Sequence, residues 1–475
     1  MKHFGILLLA GMVVLLLVAS LFAQWEPDVR LTYDDSTSHT SYTNAKCVAA
    51  NGDTVHVVWD DNRDGNPEIY YKSSPDGGTS WGSDTRLTDD PAYSELASVA
   101  VFESNIHIVW RDMRDGNREI YYKRSTNGGS SWSTDVRLTN NTGISFSPSV
   151  SVSGNTVHVV WDDNRDGNYE IYYKSSPDGG TSWGSDTRLT DDPVNSRYAS
   201  AAVSGTDVHV VWDDERDGNP EIYYKSSPDG GTSWGTDIRL TNQTADSEHP
   251  SVAVSGSTVH VVWDDNRDGN YEIYYKRSPD SGTSWGTDTR LTYNSEQSLY
   301  PSAVASESNV HVLWFDERDG NPEIYYKSSP NAGISWGTDT RLTNDPANSR
   351  YASAAVSSTN VHVVWFDERD GNPEIYYKRN PTGNAGIEEQ TDPRSKTTDI
   401  RLVCYPNPFT SIVRVKYAEI SEKQKTNLEI YDVRGRLVKS VQLTTSHLSL
   451  GTEFLPGIYF LKADSKYVGK VLKVR

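Results

Sequence analysis

From about residue 48 to residue 380, short apolar runs alternate with polar, glycine-rich turns, and the alternation itself repeats. The string Val-His-Val-Val-Trp recurs with small changes, and its tryptophan falls at 59, 110, 161, 212, 263, 314 and 365. Every interval is 51 residues. After each of these tryptophans come an Arg-Asp-Gly-Asn turn, Glu-Ile-Tyr-Tyr-Lys, a Ser-Pro-Asp-Gly-Gly-Thr-Ser-Trp-like segment and Arg-Leu-Thr. β-Branched and aromatic runs bounded by Gly, Pro, Asn and Asp predict four antiparallel strands per unit. In the fourth unit these are 199–203, 208–213, 221–226 and 237–241. The second strand is apolar on both faces, with Val208, Val210 and Trp212 on one side and Val211 beside His209 on the other. Such a strand needs packing partners above and below. Four-stranded units arranged radially supply them, which predicts an all-β fold, a β-propeller.

The ends of the chain set the number of blades. The seventh unit loses its pattern at Asn380 and lacks a fourth strand. At the other end, Trp25-Glu-Pro-Asp-Val-Arg-Leu-Thr32 repeats the spacing of Trp81 to Thr88. The N-terminal strand is therefore expected to complete the last of seven blades, residues 25–379, and to remove an open sheet edge. Residues 1–24, with Lys2 and His3 before an apolar run from Ile6 to Val18, read as a secretory signal peptide. Residues 380–399 read as a linker, and residues 400–475 as a small β-sandwich.

Composition narrows the function. The 475 residues are 35% hydrophobic with a mean hydropathy of −0.63, which excludes a polytopic membrane protein. Two cysteines exclude a disulfide scaffold and a multi-cysteine zinc site. The net charge is −20, and basic residues gather after Asp399, so the repeats are more acidic than the whole. Such a body repels phosphate backbones, and nucleic acid is not an expected partner.

Between the third and fourth strands lies Ser-x-Asp-x-Gly-x-x-Trp: Ser74, Asp76, Gly78 and Trp81. It recurs at Ser176, Asp178, Gly180 and Trp183, at Ser227, Asp229, Gly231 and Trp234, and at Ser278, Asp280, Gly282 and Trp285. This motif resembles the Asp box of the bacterial-neuraminidase (BNR) repeat family, which includes sialidases and many non-enzymatic propellers. A motif present in nearly every blade is expected to be structural, its polar side chains satisfying turn amides and its tryptophan anchoring the turn. The sialidase resemblance implies three substrate-binding arginines, a Tyr–Glu nucleophile pair and an aspartic acid. Here Arg63, Arg114, Arg165, Arg216, Arg267, Arg318 and Arg369 share one repeated slot, the Phe/Tyr-Arg-Ile-Pro motif is absent, and no catalytic residue is assigned.

The turn that carries those arginines lies on the face opposite the Asp boxes and has the look of a calcium loop, in which alternate oxygens face one cation. The candidate ligands are Asp60, Asn62 and Asp64; Asp162, Asn164 and Asp166; Asp213 and Asp217; and Asp264, Asn266 and Asp268. Arg111, Phe315 and Phe366 interrupt the first position in three units. Seven histidines, His56 to His362, sit mid-strand and are expected to pack between blades. Divergence among units points elsewhere. After Thr43 or an equivalent serine come two variable positions, expected to rim a central funnel. The candidate ligand-binding residues there are Glu95, Phe146, Arg197, Tyr198, Glu248, His249, Tyr300, Arg350 and Tyr351. Aromatic, guanidinium and acidic groups around a funnel suit a glycan or protein ligand.

Beyond the linker, Tyr405-Pro-Asn-Pro-Phe409, Leu455-Pro-Gly-Ile-Tyr-Phe460 and a basic terminal strand closely resemble the type A sorting domain of the type IX secretion system. That resemblance implies passage across a Gram-negative outer membrane by that machinery, followed by surface attachment or release. The sequence as a whole reads as an exported binding propeller, with a sialidase-like glycoside hydrolase and a passive structural surface protein as alternatives.

Overall fold

The computed structural model describes residues 25–43, 46–357 and 360–382, and seven segments between 402 and 473. The segment 1–24 and most of the expected linker lie outside the described residues. The chain divides into two compact units, 1–388 and 389–475.

The first unit holds seven antiparallel blades, six of four strands and one, blade 1, of five, because its first strand is split into Ser38–His39 and Val48–Asn51, both paired with Thr54–Asp61. In blade 4 the strands are Ser196–Ser204, Asp207–Asp214, Glu221–Ser227 and Ile238–Arg239. The second-strand tryptophans are buried in every blade, Trp59 to Trp365. Blade 7 is completed from the far end of the chain: Val29–Arg30 pairs with Tyr376 and Tyr377 in the register that Val136–Arg137 keeps with Tyr121 and Tyr122. The ring is shut by this strand, as its spacing implied.

Blades are tied to one another through repeated side-chain contacts. Each Asp-box tryptophan meets a third-strand tyrosine of the preceding blade edge to face, as Trp183 does with Tyr122 at 4.8 Å. Trp25 takes this role for blade 7, with Tyr326 at 4.9 Å. The box is thus an inter-blade joint as well as a turn. Ser74 Oγ accepts from Gly78 N at 2.8 Å and donates to Asp76 Oδ1 at 2.9 Å, while Asp76 caps Ser80 N at 2.8 Å. Gly78 has φ +87°, and a Cβ there would lie 1.9 Å from Tyr377 Oη, so close approach as well as handedness demands glycine. The second-strand histidines are buried and bond within their own blade: His209 Nδ1 meets Tyr224 Oη of the adjacent third strand at 2.7 Å, and burial lowers its pKa to about 4.

The seven arginines of the second-face turns are all spent on the scaffold. Arg63 bonds Asp61 through Nε and Nη2 at 2.8 and 2.6 Å, reaches Asp84 at 2.7 Å, and stacks 4.4 Å over Tyr70. Although burial opposes it, this carboxylate cage raises the guanidinium pKa. The same clamp recurs through Arg369, whose outer partner is Asp28 of the N-terminal segment.

Two features of the first strand differ from the expected pattern. The strand begins earlier than expected, at Ser196 in blade 4, because Ser196 pairs with Asp214 before the register shifts between Arg197 and Ser200. The variable pair therefore sits in a β-bulge of the innermost strand. In blade 1 the equivalent of Ser94 is Ser38, not Thr43. Ser38 Oγ donates to Asp61 as Ser94 Oγ does to Asp112. Ser38 precedes Trp59 by 21 positions where Ser94 precedes Trp110 by 16, so blade 1 carries a five-residue insertion at this bulge.

In the second unit two antiparallel sheets are formed. One joins Leu402–Tyr405, Val413–Tyr417 and His447–Leu450. The other joins Leu437–Leu443, Thr426–Asp432, Gly457–Ala463 and Lys466–Lys473.

Candidate functional site

The bulge turns six non-glycine residues into the left-handed region: Leu96, Ser147, Tyr198, His249, Tyr300 and Tyr351, with φ from 47° to 59°. Left-handed backbone in non-glycine residues is strained, by about 1–2 kcal/mol each. Such strain collects at functional sites, where the surrounding fold enforces it. Here it presents the variable pair at the mouth of the funnel on the face opposite the Asp boxes.

Below this rim stands the residue that follows each second-strand tryptophan: Asp60, Arg111, Asp162, Asp213, Asp264, Phe315 and Phe366. The series breaks the sevenfold symmetry. Asp60 and Asp264 are used by the frame, accepting the amides of Leu96 at 3.4 Å and Tyr300 at 2.9 Å from the next blade. Asp162 and Asp213 each keep a buried Oδ1 with no hydrogen-bond partner among the described residues. Their side chains are almost wholly buried, at 1% and 6% exposure. Burial pushes Asp162 up to about 7, Asp60 likewise to about 7, and Asp213 well above the ordinary carboxylate value.

The groups around them are charged and ordered. His249 Nδ1 lies 3.1 Å from both oxygens of Asp264. Burial alone would lower its pKa, but the Asp264 carboxylate raises it to about 9. Tyr271 donates to Glu248 Oε2 at 2.6 Å, and burial raises the Glu248 pKa. Arg197 lies 4.3 Å over the Tyr169 ring. Arg111 pairs with Glu95 and lies 4.6 Å over Phe146. Opposite this polar side runs an aromatic wall. His249 stacks on Tyr300 at 4.0 Å, Tyr300 on Phe315 at 5.6 Å, and Tyr351 contacts Tyr300 at 4.9 Å and Phe366 at 5.5 Å. Arg350 lies 5.8 Å over Phe315.

All nine residues singled out from the sequence fall at the first-strand bulge: Tyr198, His249, Tyr300 and Tyr351 form one chain of ring contacts, while Glu95 and Phe146 meet at Arg111. Asp60, Asp162, Asp213 and Asp264 join them there, while the other members of the expected calcium loops do not. Asp64, Asp166, Asp217 and Asp268 accept from Tyr70, Tyr172, Tyr223 and Tyr274 within the turns. Asn62 donates to Thr37, and Asn164 and Asn266 accept backbone amides. Among the described residues no three His, Cys, Asp or Glu side chains gather as cation ligands. Tyr169, Tyr271 and Arg118 were missed in the sequence. Their signal was a single turn position that reads Pro, Arg, Tyr, Pro, Tyr, Pro and Pro from Pro67 to Pro373.

A buried acid held protonated is a stability cost at neutral pH. The folded state binds the Asp162 proton up to about pH 7, and the unfolded chain releases it near 3.8. Stability is therefore lost as pH rises through that window. Asp162→Asn is expected to stabilise the protein by roughly 2–4 kcal/mol at pH 8. The gain should vanish at pH 4 in urea melts; an equal gain at both pH values would contradict the raised pKa.

Comparison with known proteins bears on each unit separately. Residues 403–474 match the family model of the secretion system C-terminal sorting domain. The chain is accordingly a substrate of type IX secretion machinery, secreted or carried to the cell surface. Among solved structures, polysaccharide lyase Uly1 superposes with a TM-score of 0.51 at 9% identity, over 75% of this chain and 100% of that one. A phage phi92 endosialidase gives 0.48 at 10% identity, covering 95% and 88%. A Trypanosoma rangeli sialidase gives 0.44 at 12%, covering 80% and 85%. At these identities the likeness is one of fold. No curated protein matches the chain.

Proposed function

We propose that this exported propeller is a glycan-binding protein whose ligand enters the funnel rimmed by Arg197, Tyr198, Glu248, His249, Tyr300 and Tyr351. One observation carries the reading: two buried carboxyls, Asp162 and Asp213, each with an oxygen unpartnered among the described residues, share the variable face of the ring with an aromatic wall. A saccharide offers both complements, hydroxyls for the carboxyls and Arg197, and C–H faces for the tyrosines. Pockets of this kind pair an apolar surface with a few fixed polar groups. In their protonated forms, which burial favours, Asp162 and Asp213 can donate as well as accept, which suits a ligand without charge.

Tyr300→Ala and Arg197→Ala are each expected to weaken glycan binding tenfold or more, equivalent to about 1.4 kcal/mol. Tyr293→Ala, which removes a tyrosine 72% exposed, serves as the control and should change nothing. Glycan-array binding that survives both rim substitutions would remove the funnel from consideration.

A second reading, glycoside hydrolysis, is favoured by the Tyr271–Glu248 bond and by the raised pKa values of Asp162 and Asp213. Hydrolases of this kind need an acid that stays protonated near neutral pH beside an ionised partner. Turnover of a glycoside that disappears in Asp213→Asn and Glu248→Gln would select this reading over binding alone.

A further inference from the structure

Below the funnel an axial channel of about 220 Å³ runs between the innermost strands of all seven blades. Its walls are alanine and valine, with Ser151 among them, and Lys46 is the single charged residue that lines it among the described residues. The equivalent positions in the other blades are Ala97, Pro148, Ala199, Pro250, Pro301 and Ala352. The next position departs as well: Cys47 stands where the others have Ser98, Ser149, Ser200, Ser251, Ser302 and Ser353. Both departures fall at the end of the blade 1 insertion, so a local change in chain path brings one ammonium to the axis.

Every other lysine of the blade repeat is paired. Lys72 and Lys123 each take a backbone carbonyl and an aspartate, Asp84 and Asp135, at 2.8 Å. Lys46 has no ion pair or side-chain hydrogen bond among the described residues. A fixed cation in an apolar passage is electrostatically uncompensated, and an ammonium leaves water at high cost without a counter-charge. Burial lowers its pKa accordingly.

We propose that the axial channel is an anion site in which Lys46 Nζ binds a carboxylate-sized monoanion. The channel volume admits a small acid, and the alanine and valine side chains around it offer Lys46 no competing counter-charge. The anion is either a free small acid or the acidic group of a sugar reaching down from the funnel. Formate reads Lys46 without engaging the rim, so failure of this site is distinguishable from failure of glycan binding there.

The test is a thermal-unfolding titration of the full chain with sodium formate at constant ionic strength, in the unaltered protein, in Lys46→Met and in Lys46→Arg. A saturable rise in melting temperature is expected, with formate bound at least tenfold more weakly by Lys46→Met and restored by Lys46→Arg. Glucuronate competing with formate would identify an acidic sugar as the source; formate binding without such competition would identify a free small acid. Formate dependence that is absent from the unaltered protein, or identical in Lys46→Met, overturns the assignment.

Discussion

Acidification from pH 7 to pH 4 is expected to unfold the propeller, read as a collapse of the urea midpoint. The cause is the ring of second-strand histidines. His56, His107, His158, His209, His260, His311 and His362 are each lowered by burial to about 4 in the folded state, against 6.5 for the free side chain. Between those values the unfolded chain binds more protons, so stability falls as pH falls through the window. Complete protonation costs roughly 3 kcal/mol per histidine. Asp60, Asp162 and Asp213 work in the opposite direction, because their raised pKa values favour the folded state as pH drops from about 7 towards 3.8. His249, raised to about 9, is already charged at pH 7 and leaves the acid limb unaltered. The seven buried histidines outweigh Asp60, Asp162, Asp213 and Glu248, whose pKa is also raised by burial, and leave a net loss comparable to the whole stability of a domain, about 5–15 kcal/mol. His209→Gln, which no longer titrates and can still meet Tyr224, should shallow the slope. An unchanged urea midpoint at pH 4.5 would mean that the histidines are not held neutral.

Removal of residues 25–32 is expected to be the most damaging small deletion in the first unit. Leu31 is buried, and Arg30 and Thr32 bond the fully buried Glu374, which would keep Asn372 alone as a side-chain donor among the described residues. Asp28 serves Arg369 at 2.8 Å and Lys378 at 2.8 Å, and Glu26 holds Arg379 at 2.5 Å. Stripping the partners from a buried charge costs about 3–5 kcal/mol, and losing one buried leucine about 1.5–3. Together these approach the total stability, so the truncated chain should be open at blade 7, with early proteolysis between residues 349 and 380. Trp183→Ala makes the contrast: it loses one edge-to-face contact of about 0.5–1.5 kcal/mol plus buried area, and leaves the ring shut. A peptide of residues 25–33 added to the truncated chain should restore the melt. A truncated protein melting within about 2 °C of the intact one would show that closure contributes little.

The blade was legible because its contacts are repeated. A second strand apolar on both faces has few ways to be buried, and the constant tryptophan interval leaves no freedom in loop length. The seventh blade was legible for the same reason, since Trp25, Asp28 and Leu31 occupy the slots of Trp81, Asp84 and Leu87. The funnel was only half legible. Glu248 and Tyr300 stood out as departures from the repeat, but Asp213 did not. Asp213 reads like Asp264, and only the missing hydrogen-bond partner on its Oδ1 separates the two. Contacts between blades, such as Tyr169 beneath Arg197, join positions that no local pattern links. In blade 1 the insertion displaced the alignment, because Thr43 sits at the expected 51-residue offset from Ser94 while Ser38 makes the equivalent bond.

The joint between each Asp-box tryptophan and the preceding blade has a kinetic side. Its tyrosine is embedded in the same Glu-Ile-Tyr-Tyr-Lys segment in every blade, so an incoming strand meets near-identical docking edges along the chain. During folding, the N-terminal strand can seat on any third strand whose own fourth strand has yet to form, closing a ring with too few blades. Only the correct pairing satisfies all seven joints at once, and premature closures must reopen before folding can proceed. A chain built from interchangeable parts thus gains local certainty at the expense of global uniqueness, and the order in which blades fold becomes part of how the ring finds its right partner.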